Sequence, residues 1–392
     1  MWRNLFSFRR LYNTAPQYST TTFAPYLWIV LCALLAYGSI LWNGAGFSHP
    51  DDREAASMVC CDFRPFLAET YAFNRHVGGW MLTNFALHVI AGWLLFAVSG
   101  SLLAAWLFVA HPMAADAVAS VAGRSSVLAA VFVLLLIFSL KFRRRLHSFS
   151  LLAAAGILAS SLGIPARLLH IPGSLPAFEW VYRWISAVGN YIVPRMLVPD
   201  PLSADPELYA SRLSFALGCV LIAGAVFVFV RIPALRLPVG LMGVGLLPYL
   251  FRPLPDVFLE HRAYLALAGA MILVATYLPR TLTIPCLALF ILAAHQRAEV
   301  YHSPQTLWTD AAAKAPNVMR PHLNHGAICG MDLDLVCAEK ELRLAIALDP
   351  THPKPRKALL AVLVVQGRLS EASRLLDWRP ASPGDPGSPQ LF

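Results

Sequence analysis

The stretch "GWMLTNFALHVIAGWLLFAVS", residues 79–99, contains no charged residue and breaks its apolar run only at small residues, Thr83, Asn84 and His88. As a helix rising ~1.5 Å per residue it is long enough to cross the ~30 Å hydrocarbon core of a bilayer. Asn84 and His88 are four residues apart and share one helix face, a spacing that predicts hydrogen bonds to neighbouring helices rather than contact with lipid.

Similar windows lie on both sides of it, at residues 26–44, 101–112 (short), 124–140, 148–165, 209–230, 238–252, 262–279 and 281–295. Residues 177–199 are amphipathic and read as an interfacial helix or a further crossing. Composition agrees with this pattern. The 392 residues are 57% hydrophobic and 14% charged, with a mean hydropathy of +0.58, values of a polytopic membrane protein rather than a soluble domain. The formal charge of +9 does not indicate nucleic acid, because Lys and Arg fall in short stretches between apolar runs.

Those cations predict orientation. Arg3, Arg9 and Arg10, then Lys141 and Arg143 to Arg145, then Arg231 and Arg236, then Arg280 all lie on one side if the N-terminal segment 1–25 is cytoplasmic and about nine crossings follow. The opposite face then receives residues 45–78, 111–123, 165–208, 252–262 and everything after 295. That last part turns polar: residues 296–378 read as a short helical domain resembling the ~34-residue tetratricopeptide pattern, with small residues at Ala338, Ala345 and Ala372. Residues 379–392, rich in Pro, Gly and Ser, read as disordered. The seven cysteines form no metal pattern, though Cys329 and Cys337 could pair outside the cytoplasm.

The polar residues of the outer face carry the candidate chemistry. Asp51 and Asp52 follow the first span, where adjacent carboxylates repel and one is suited to act as a base. In "HPMAADAVASVAGR" a helix begun at Pro112 places Asp116, Ser120 and Arg124 on one face. "EHRAY" sets Glu260, His261, Arg262 and Tyr264 at the mouth of a span, a costly place for polar groups without partners.

In this order the segments resemble the transmembrane and tetratricopeptide-repeat proteins, the protein O-mannosyltransferases and their bacterial relatives among the GT-C glycosyltransferases. The resemblance runs over about residues 25–375 through the double aspartate, Phe63-Arg64-Pro65, Asn84 and His88, His111-Pro112 with Asp116 and Arg124, Leu202-Ser203-x-Asp205, Glu260 to Tyr264, and Leu307-Trp308 with Asn324 and Gly326. It implies an all-α polytopic GT-C fold of about nine to eleven transmembrane helices, spanning 26–295, followed by the repeat-like domain. It also implies transfer of a mannose-like sugar from a polyprenyl-phosphate donor to an acceptor, protein or other, on the periplasmic or lumenal face, the bacterial inner membrane being favoured over the endoplasmic reticulum. Asp51 would be the base and Asp52 its partner. Arg64, His111, Asp116, Arg124, Glu260, His261, Arg262 and Tyr264 would bind donor phosphate or substrate, without metal, cofactor or nucleic acid. Where that family carries a Lys-Glu pair in its fifth span, this chain has Ser160, Ser161 and Leu162. That departure favours an alternative, a catalytically silent membrane scaffold that binds proteins through its repeats.

Overall fold

The structure, a computed structural model, describes residues 23–41, 65–141, 182, 184–186, 212–250 and 260–376. Every regular element among them is helical. The chain divides into two compact units, one running to Ser303 and the other beginning at Pro304.

In the first unit four helices are long and apolar enough to cross a membrane. These are α1 (Ala24–Tyr37), extended by a 3-10 turn to Leu41; α3 (Trp80–Ser99); α6 (Arg124–Lys141); and α10 (Arg280–Val300). A fifth candidate is bent by 116° at Ile232, where α7 (Arg212–Arg231) meets α8 (Arg236–Leu250). Between α1 and α3 lies α2 (Pro65–Val77). Gly78 and Gly79, at φ of 76° and 66°, make the α2–α3 turn in a conformation that other residues adopt at a cost.

Two windows expected to cross are shorter than a span. Helix α4 (Leu102–Val109) has eight residues, only ~12 Å of rise. Helix α9 (Tyr264–Tyr277) has 14, and its first nine, Tyr264 to Ile272, are all buried. An apolar run of that length serves equally well as the inside of a bundle, where protein rather than lipid covers it. Four crossings, or five with the bent pair, are therefore what the described residues support, against the nine to eleven expected; the window 148–165 lies outside them.

The unit is organised around α4 and α9. Helix α3 packs on α4 and α6, α1 on α4 and α10, and α9 on α4 and α8. Small residues bring backbones close: a Cβ on Gly245 would meet the Ala266 amide nitrogen at 2.6 Å, and one on Gly269 the Pro238 carbonyl oxygen at 2.3 Å. The outward faces stay apolar. Leu27, Trp28, Leu31 and Leu35 on α1, Val220, Val226 and Phe227 on α7, and Ile284, Leu289 and Leu292 on α10 are exposed, as suits a hydrocarbon solvent.

The second unit is a succession of α11 (Pro304–Lys314), α12 (Met319–Met331), α13 (Leu335–Leu348), α14 (Pro353–Val365) and α15 (Leu369–Leu376), each packed on the next. Its core holds Ala338, Leu342, Leu359, Leu363 and Ala372. Gly326 allows α12 and α13 to approach, since a Cβ there would meet Leu342 Cγ at 2.8 Å.

On its surface Arg343 and Arg368 each bridge the carboxylates of Glu339 and Glu371, with Arg343 Nη2 2.7 Å and Arg368 Nη1 2.6 Å from Glu339. The hydrogen bond from Arg343 is the main reason that both carboxyls are held below their ordinary range. A depressed acid contributes stability that is complete above the unfolded value, ~4.3 for Glu, and is lost as pH falls through the folded one. We expect the helical signal of the full chain in detergent to melt earlier as pH drops through this window. High salt should blunt the effect, because the network is solvent-exposed. Glu339→Gln should flatten the profile; an unaltered acid limb in that variant would disprove the assignment.

Candidate functional site

The segment after α4 turns back on itself rather than forming one helix. His111 caps the turn, its Nδ1 accepting the Met113 amide at 3.1 Å, and Pro112–Ala114 lead into α5, which spans only Ala115–Val118. The chain then bends through residues 119–123 before α6 starts at Arg124. Gly123 permits the bend to pack closely against α5: a Cβ there would lie 2.5 Å from the Asp116 carbonyl oxygen and 2.7 Å from Ala117 Cα. The single helical face expected for Asp116, Ser120 and Arg124 is therefore absent, and their side chains serve different partners.

Asp116 meets the segment before α9. Its Oδ2 accepts the His261 backbone N–H at 3.1 Å and lies 2.8 Å from the His261 ring Nδ1. Because an ionised carboxylate only accepts, Nδ1 carries the proton, leaving Nε2 as the ring atom able to exchange one. Both side chains keep a little exposure, 15% for His261 and 13% for Asp116. A carboxylate that fixes an imidazole in this way makes an oriented base.

One residue earlier, Glu260 is closed into an ion pair. Arg297 Nη2 donates to its Oε2 at 2.8 Å, and both groups are buried. Arg297 also lies over the Tyr301 ring, 6.0 Å from its centroid. Arg297 was not among the residues singled out from the sequence, because it falls two residues beyond the apolar window ending at 295 and reads there as the start of the polar region. The signal was an arginine on the last turn of a span, where a buried cation requires an acid. Arg262 occupies the same 3-10 turn as Glu260 and His261, with intermediate exposure.

Tyr264, at the start of α9, faces the interior. Its hydroxyl is 2.6 Å from His88 Nδ1, while His88 Nε2 is 3.1 Å from the Val109 carbonyl. The carbonyl can only accept, so Nε2 bears the hydrogen and Nδ1 receives the tyrosine proton. Phe108 packs against the Tyr264 ring, with centroids 5.1 Å apart. The Tyr37 hydroxyl of α1 donates to the His111 carbonyl, and the His111 ring meets Phe290 of α10 edge-on at 4.6 Å. His111, Asp116, Glu260, His261, Arg262 and Tyr264 thus occupy two adjoining segments at one end of the helices.

Arg124, assigned from the sequence to a donor phosphate, is turned inward and fully buried. Its Nε donates to Asn84 Oδ1 at 2.6 Å, Nη1 to the Thr70 carbonyl at 3.2 Å, and Nη2 to the Trp80 carbonyl at 3.0 Å. The Tyr71 and Trp80 rings flank the guanidinium at 4.9 and 5.4 Å. Asn84 completes the cage, giving its amide hydrogens to the carbonyls of Val118 and Ser120 at 3.2 and 2.7 Å. This is the interhelical role expected of Asn84, and it ties the ends of α2, α3 and α6 together. Asp51, Asp52 and Arg64, with Phe63, Leu202, Ser203 and Asp205, lie outside the described residues.

No protein-family model, curated protein or solved structure matches the chain.

Proposed function

We propose that the chain is an integral-membrane glycosyltransferase of GT-C type, transferring a mannose-like sugar from a polyprenyl-phosphate donor to a hydroxyl acceptor at one membrane face. The observation that carries the reading is the Asp116–His261 pair, beside Glu260 and Arg262, at one end of helices able to cross a bilayer. A donor with a lipid tail and a charged phosphate needs such a boundary, apolar on one side and polar on the other.

In the reaction the acceptor oxygen forms a bond to the anomeric carbon as the bond to the lipid phosphate breaks. A base removes the acceptor proton, and a cation stabilises the departing phosphate. Asp51 is assigned as that base, with Asp52 orienting it, and Arg262 as the phosphate contact; the oriented imidazole of His261 is assigned to the acceptor hydroxyl. The second unit is assigned to the periplasm or lumen, a reading supported by the Cys329–Cys337 disulfide, which oxidising compartments maintain.

A second reading, a silent scaffold, draws support from Arg124 and Glu260. Both are engaged by protein partners in ways that stabilise helix packing without any ligand. The two readings separate on donor binding and on one substitution. The enzyme reading expects the detergent-purified chain to bind a polyprenyl-phosphate sugar and transfer it, and Asp51→Asn to lose transfer by at least about 100-fold while remaining folded. Full transfer by Asp51→Asn would remove the base assignment, and absence of any donor affinity in the wild type would leave the scaffold.

A further inference from the structure

The second unit holds a cluster of metal-ligating side chains with no part in sugar transfer. His325 and Cys329 are four residues apart on α12, so they share a face, and Cys337 stands opposite in the first turn of α13. The ligand atoms of His325, Cys329 and Cys337 all lie within 4.8 Å of one another. In the structure Cys329 and Cys337 are joined as a disulfide with Cα atoms 5.8 Å apart, and His325 Nε2 is 3.9 Å from Cys337 Sγ.

We propose that this cluster is a redox-gated site for a soft divalent cation of the Zn2+ class, closed as the disulfide and opened by reduction. A dithiol reductant gives two electrons and two protons to the S–S bond, yielding two thiols and its own cyclic disulfide. A cation then takes both sulfurs as thiolates and His325 Nε2 as a neutral imidazole, releasing the two thiol protons. The sulfurs must move apart from their bonded positions, and the two helices hold their Cα atoms 5.8 Å apart, close enough for both to reach one cation. A fourth position remains for water, the pattern of three protein ligands and one exchangeable one.

The carboxylate beside His325 favours cation binding. Among the described residues His325 Nδ1 is buried without a hydrogen-bond partner, 3.7 Å from Glu341 Oε2, while Nε2 is 3.1 Å from the Thr309 hydroxyl, which a cation would displace. Binding a cation through Nε2 places the hydrogen on Nδ1 and directs it toward that carboxylate, the arrangement that commonly orients a metal-bound imidazole. Glu341 is itself fixed, with its Oε2 2.6 Å from His322 Nδ1.

The test uses the full chain in detergent with Cys32, Cys60, Cys61, Cys219 and Cys286 replaced by Ala, so that only this pair remains. After reduction with dithiothreitol and its removal under nitrogen, Co2+ serves as the probe. The expected result is an equimolar uptake with thiolate-to-cobalt charge transfer and the visible absorption of tetrahedral Co2+, discharged by Zn2+ and absent from the unreduced protein. Cys337→Ser should abolish the charge-transfer band, and His325→Gln should weaken Co2+ binding by at least about tenfold, with circular dichroism unchanged in both. No band in the reduced chain, a band that survives Cys337→Ser, or undiminished affinity in His325→Gln would each overturn the site.

Discussion

Arg124→Met will destabilise the first unit strongly and lower the fraction that accumulates in folded form. The substitution leaves the buried Asn84 Oδ1, and the part-buried carbonyls of Thr70 and Trp80, without the donors that now reach them. Each buried acceptor stripped of its partner costs about 1–3 kcal/mol. Asn84 Oδ1 alone carries that cost, and with the two weakened carbonyl contacts it is a large share of the ~5–15 kcal/mol that separates a folded domain from its unfolded chain. Arg124→Lys will also destabilise it, though less severely. An ammonium keeps the charge, but it cannot reach three acceptors on different sides as a planar fork does, and it loses the stacking between Tyr71 and Trp80. The readout is the monodisperse fraction on size exclusion together with the melting temperature. A lysine variant that melts with the wild type would show that the cage contributes nothing, whereas a folded variant deficient only in donor binding would return Arg124 to the substrate.

Glu260→Leu and Arg297→Leu, made singly, should each destabilise the unit by about 3–5 kcal/mol, because each takes the 2.8 Å ion-pair contact away from the opposite, buried charge. Made together, they remove both charges and fill the space with apolar atoms, and most of the loss should return. The large effect is thus a coupling, visible in a double-mutant cycle of melting or denaturation free energies. Strictly additive losses would mean that the two side chains act independently, contrary to the 2.8 Å contact. The same cycle has functional value. If the double variant folds and yet transfers no sugar, the pair matters to chemistry as well as to packing.

Helical class could be read directly from residues 79–99 and their counterparts at 26–44, 124–140 and 281–295, because long uninterrupted apolar runs have few alternatives to a membrane helix. What could not be read was which face of a short apolar run meets protein. Helices α4 and α9 have the composition of spans and the burial of a core, and hydropathy alone does not distinguish lipid from leucine. The helix expected through Asp116, Ser120 and Arg124 failed for a similar reason: its interruption packs Gly123 against the α5 backbone, a tertiary contact that helical periodicity does not encode. Glu260, His261 and Tyr264 could be singled out as polar groups at a span's mouth. Their partners could not, since Asp116 lies 145 residues from His261 and His88 lies 176 from Tyr264. The proposed base, Asp51, rests on the family resemblance and on the repulsion between neighbouring carboxylates.

The pairing of α3 with later helices has a consequence for biogenesis. Asn84 and His88 are synthesised long before their partners exist, Arg124 being 40 residues and Tyr264 176 residues further along. At a synthesis rate of ~5–20 residues per second, the imidazole waits about 9–35 s for its tyrosine. Released alone into lipid, α3 would leave an amide and an imidazole in hydrocarbon, each at a cost of several kcal/mol. A span that carries such groups is thus better solvated by protein or water than by lipid until its later partners have been made.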